Sequence, residues 1–201
     1  MNKIYELKID EDNDKLGINI LSFVDNPAIK TEWFTFSEQE TVKKDLKKQM
    51  ITSPIMLANS LIKRDLPNIG MFEVFYSEET IMQMMIQFMS SDKKDNVDFQ
   101  HNKELIEGIK LVESYIVDER NSSNIFDVPK GSWIGTFYIE DKELYNKLVE
   151  DPNFNGISLD GIFKMEEVMV DMIYEAIIEV VSSDLDDELK VEKLKSLYNE
   201  N

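Results

Sequence analysis

The chain has 201 residues, 42% of them apolar, and a formal charge of −18 from 40 acids against 22 bases. That charge repels phosphate backbones, so a nucleic-acid partner is not expected and a basic partner segment fits better. Without cysteine and with one histidine, disulfides, thiolate metal sites and cysteine nucleophiles are excluded, and a zinc site is not expected.

This length suggests one domain with an appended helix. The expected division is a main domain over residues 1–182 and a C-terminal helix over 183–201. The opening MNKIYELKIDED lacks the apolar core of a signal peptide, and no apolar run approaches the length of a membrane span. A soluble intracellular protein, not bound to membrane and needing no cofactor, is the expectation.

In chain order, KIYELKI (3–9) alternates and predicts a strand. INILSFV (18–24) is a second β-type run, stopped by Asp25-Asn26-Pro27 because proline cannot continue a ladder. WFTF (33–36) is a short strand candidate. Residues 37–50, SEQETVKKDLKKQM, carry little apolar face and read as a charged surface segment or linker. ITSPIMLANSLI (51–62) has a proline in mid-run and no clean period, and KRDLPN (63–68) reads as a turn region.

GMFEVFY (70–76) predicts another strand. Ser77 followed by Glu78 and Glu79 is an N-cap with acids in the first turn, so a helix starts there. Ile81, Met84, Met85 and Phe88 share one face of it, which predicts core packing. After a loop and His101, GIKLVESYIV (108–117) reads as a long strand rich in β-branched residues. WIGTFYI (133–139) and GISLDGIF (156–163) are β-type runs flanking a helical insert, DKELYNKLVED. The tail from Ser183 has a capping-box pattern, with Asp186 three residues on, and an amphipathic face of Leu185, Leu189, Val191, Leu194 and Leu197.

Two residues stand out for chemistry. Ser158 lies in a β-type run between Gly156 and Gly161, and glycine in a strand marks a bulge, a kink or close backbone approach. Such devices expose a hydroxyl to act as a nucleophile; equally, the glycines could only relieve crowding. A serine needs a base, and His101 is the only histidine. A lone histidine is also a common structural residue. A third group should orient the imidazole. Glu113, a charge inside an apolar strand, is the first candidate and Asp127 the second. Asp160 shares a strand face with Ser158. The spacing is not the Gly-x-Ser-x-Gly elbow of α/β-hydrolases, which argues against a generic esterase.

Several segments, in order, resemble one family: LSFVDNPAI, SPIMLANSLIKRD, FEVFYSEETI, the single His followed by GIKLVESYIVDE, VPKGSWIGTFYI, and GISLDGIF. Together they resemble the phage prohead (capsid maturation) serine proteases of the XkdF-like branch. The resemblance implies an α+β fold, a small, mostly antiparallel β-barrel surrounded by helices as in the herpesvirus assemblins. It implies a His-before-Ser order, which His101 and Ser158 satisfy. It also implies cleavage of scaffold and major capsid proteins inside the immature shell in the host cytoplasm, with self-association as a homodimer or larger assembly. Lys130-Gly131-Ser132 is the candidate source of oxyanion N–H groups. The competing expectation is a non-catalytic capsid-assembly protein that keeps the fold.

Overall fold

The computed structural model describes residues 3–9, 15–25, 27, 43–45, 48–67, 70–121, 126–150, 154, 156–168, 180–181 and 186–199. The strands are β1 (Ile4–Lys8), β2 (Gly17–Val24), β3 (Lys43–Asp45), β4 (Met50–Met56), β5 (Ile62–Leu66), β6 (Gly70–Phe75), β7 (Val97–Phe99), β8 (Ile109–Ile116), β9 (Trp133–Ile139), β10 (Gly156–Ile162) and β11 (Lys164–Val168). The helices are α1 (Glu78–Ser90), α2 (Lys142–Glu150) and α3 (Asp187–Asn199). The fold is α+β and rich in sheet, as expected.

The strands form three sheets, ordered β11-β1-β6-β5, β10-β2-β7 and β3-β4-β9-β8. Pairing is antiparallel except for β1 with β6 and β2 with β7. Among the described residues the sheets do not close into a barrel. β10 lies against β4 without a ladder between them, so the two sheets meet by side-chain packing.

Several local expectations change for identifiable reasons. Pro54 sits inside β4, and the ladder to β9 shifts register between Pro54 and Met56. A proline without an N–H is accommodated at such an irregularity. KRDL belongs to β5, paired antiparallel with β6, rather than to a turn. Part of the charged segment, Lys43–Asp45, is β3, paired antiparallel with β4. Residues 28–42, with WFTF, lie outside the described residues. So does Ser183, and α3 is capped instead by Asp186, whose carboxylate accepts from the Leu189 N–H at 2.9 Å.

α1 begins where its cap predicts: Ser77 Oγ accepts from the Thr80 N–H at 3.2 Å. Its buried face carries Ile81, Met84 and Phe88, packed towards β2 and β9. β9 is buried on nearly every residue, which explains its continuous apolar run. At the centre of the core the Phe23 ring of β2 meets Phe99, Phe137 and Phe154, with centroids 6.0, 5.4 and 5.1 Å away. This cluster ties the three-stranded sheet to β9. The face it supports carries the candidate site.

Candidate active site

The three-stranded sheet places three polar residues in one cross-strand row. Ser158 of β10 pairs with Ser22 of β2, and Ser22 pairs with Asp98 of β7. Directly opposed residues share a sheet face, so both hydroxyls point the same way. His101 follows β7 by two residues and folds back over them. Its Nε2 lies 3.0 Å from Ser158 Oγ, and its Nδ1 lies 3.0 Å from Ser22 Oγ. Ser22 is fully buried and Ser158 nearly so, whereas His101 is on the surface. The imidazole is a lid on two serines, with its outer side open to solvent.

The turn that carries the histidine is tightly held. Gln100, His101 and Lys103 have φ values of 53°, 57° and 65°. This left-handed region is uncommon for residues with a Cβ and persists where surrounding bonds over-determine it. Those bonds are present: the Gln100 N–H donates to Phe23 O at 3.0 Å, the Asn102 N–H to Phe99 O at 3.1 Å, and the Ile106 N–H to Val97 O at 2.8 Å. The Lys103 N–H donates to the buried Asp98 carboxylate at 2.7 Å. The second Asp98 oxygen has no hydrogen-bond partner among the described residues. Asp98 thus anchors the turn from beneath.

The sequence candidates fall in different places. His101 and Ser158 come together. Glu113 is exposed on β8, in the β3-β4-β9-β8 sheet, and its carboxylate accepts from Thr136 Oγ1 at 2.6 Å. Asp127 is exposed in the connection before β9. Neither hydrogen-bonds the imidazole, whose two nitrogens face serines. Asp160 pairs with Ile20 next to a bulge. The Gly131 N–H donates to Val117 O at 2.9 Å and the Ser132 N–H to Pro129 O at 3.2 Å, so both are engaged within a turn rather than aimed at an oxyanion.

The glycines flanking Ser158 act through space. A Cβ on Gly161 would run into the Gly17 carbonyl oxygen and the Phe163 ring, and one on Gly156 would press on the Pro27 ring. They permit close approach, while the regular strand register presents the hydroxyl.

Sequence reasoning does not reach Ser22 or Asp98. Ser22 lies in the LSFV run, where nothing local marks a hydroxyl rather than a carboxylate as the partner of the imidazole. Asp98, three residues before the histidine, was the available signal for an anchored turn. For His101 to accept a proton at Nε2, Nδ1 must carry the hydrogen and donate it to Ser22 Oγ. Ser22 is then a positioning residue that fixes the ring and its tautomer. A neutral hydroxyl compensates imidazolium charge less than a carboxylate does. We expect Ser22→Ala to lower turnover roughly 10- to 100-fold with little change in KM, the range associated with a misaligned catalytic group. Ser22→Thr, which keeps the hydroxyl, should recover much of it. Equal loss in both variants would mean that packing, not the hydrogen bond, is what matters.

A shallow cleft open to solvent adjoins Ser158. Tyr76 lines it and is 4% exposed; burial pushes its phenol up to about 12, with Arg64 opposing. Unfolded tyrosine ionises near pH 10, so the native state binds more protons above that pH. The associated stability is fully present below about pH 10 and is lost as pH rises to about 12, by roughly 2–3 kcal/mol. Tyr76→Phe should lose less stability than wild type in urea melts between about pH 9 and 11; parallel losses would contradict this.

A family model described as Putative phage serine protease XkdF matches residues 39–167. No curated protein and no solved structure matches the chain. The matched region runs from before β3 to β11 and includes both His101 and Ser158. The chain therefore belongs to the phage serine protease family typified by XkdF.

Proposed function

We propose that this protein is a serine endopeptidase that processes scaffold and capsid proteins during phage head maturation, working inside the immature shell. The observation that carries this reading is the 3.0 Å hydrogen bond between His101 Nε2 and Ser158 Oγ, in a chain of a phage serine protease family. In this reading His101 takes the Ser158 hydroxyl proton as Oγ attacks the scissile carbonyl carbon. The imidazolium then returns a proton to the leaving amine, and water hydrolyses the acyl-enzyme by the reverse relay. The herpesvirus-assemblin-like architecture and self-association belong to the same proposal. The order of His101 before Ser158, and the sheet that presents the serine, support it.

The test is co-expression with scaffold and capsid proteins of the same phage, comparing wild type with Ser158→Ala and His101→Ala. Shortened scaffold and capsid chains should appear with wild type alone. Processing that persists in both variants would replace this reading with a non-catalytic assembly protein of the same fold.

A further inference from the structure

The cleft beside Ser158 has an uneven lining. Its inner wall is aliphatic, with Ile55 and Met56 of β4, Ile62 of β5 and Ile157 of β10. Its one charged lining residue is Arg64, which is exposed and so stands at the rim. The chain has only two arginines among 40 acids. Arg120 lies 3.9 Å from Asp118. Arg64, by contrast, has no carboxylate partner among the described residues; its guanidinium donates to the Lys63 carbonyl at 3.3 Å. In so acidic a protein, a cation left without an acid next to the nucleophile needs an explanation.

The strands on either side fit a peptide occupant. Among the described residues, β5 and β10 are each the terminal strand of their sheet, and an extended peptide can add to such an edge through its backbone. Alternate residues of β5, Ile62 and Arg64, line the cleft, matching the two-residue repeat of a strand.

We infer that this cleft is a substrate side-chain site: it takes an aliphatic side chain against Ile55, Ile62 and Ile157, while Arg64 pairs with a carboxylate of a neighbouring substrate residue. The assignment rests on the protease reading and names its substrate class, extended segments that join a leucine-like residue to an acid. The overall negative charge does not oppose this at close range, because exposed charges beyond about 8 Å are largely screened at physiological salt.

The test uses the full chain with Ser158→Ala, which binds without cleaving, and short fluorescent peptides containing a central Leu beside Glu. Anisotropy titrations should show roughly fivefold weaker binding when Glu becomes Lys, in the range of one exposed ion pair. Binding should weaken roughly tenfold or more when Leu becomes Ala. Adding Arg64→Gln should erase the Glu-over-Lys preference and keep the Leu-over-Ala preference. Equal affinities for the Glu and Lys peptides, an unchanged ratio in Arg64→Gln, or no binding of any peptide would overturn the assignment. Cleavage by the wild-type chain separates the two claims. Peptides bound in the expected order but left intact would count against the protease and not the cleft, whereas cleavage without that order would count against the cleft alone.

Discussion

Ser158→Ala and His101→Ala are each expected to lower peptide turnover roughly 10⁴-fold or more, and the double variant to be little worse than either alone. The reason is geometric. His101 is the only histidine of the chain, and its Nε2 is 3.0 Å from the serine oxygen. Removing the nucleophile or the base disables one unit, so the losses do not add. Both variants should fold, because His101 is on the surface and Ser158→Ala removes one oxygen at the margin of the core. Thermal melts beside the kinetics would establish this. Additive losses would show that the two residues act separately.

Phe23→Ala should destabilise the fold by about 3–5 kcal/mol, the range for deleting a buried aromatic. Phe23 is 1% exposed and packs on Phe99, Phe137 and Phe154. Domains of ordinary stability have about 5–15 kcal/mol in all, so a fall in melting temperature of roughly 10 °C is expected. Activity should fall further than the unfolded fraction explains. Phe23 follows Ser22 directly, its carbonyl holds the Gln100 N–H, and its ring contacts Phe99 at the base of the histidine turn. Phe23→Leu, which refills most of the space, should lose roughly 1–2 kcal/mol. A melting temperature unchanged in Phe23→Ala would contradict the central role given to this ring.

What could be read in the sequence follows from how local each signal is. The Ser77 cap and the spacing of Ile81, Met84 and Phe88 predict α1 directly. β9 and β10 announce themselves as long β-type runs. β7 does not, since three residues cannot show a period; β5 does not, because its three central residues, Lys63, Arg64 and Asp65, are charged and exposed.

The site divides along the same line. His101 and Ser158 were legible because the choice of histidine had one answer and the serine had a distinctive glycine context. The partner of Nδ1 was not. Ser22 becomes its neighbour only through the pairing of Ser158 with Ser22, a contact between residues far apart in the chain. Glu113, the first candidate to orient the imidazole, is instead exposed on β8 and accepts from Thr136 Oγ1, because the pattern of a single strand does not say which sheet it joins. The resemblance to prohead proteases supplied the family, which the match over residues 39–167 now shows. The closed barrel that it also implied is not formed by the ladders of the described residues.

The central claim is that His101 activates Ser158 as a nucleophile. A fluorophosphonate, which bonds covalently to an activated serine hydroxyl, tests it most directly when the adduct is mapped by peptide mass spectrometry. The expected result is one adduct on Ser158 in the wild-type chain, formed far more slowly in His101→Ala. Labelling at a different serine, or at Ser158 with equal speed in both chains, would contradict the account.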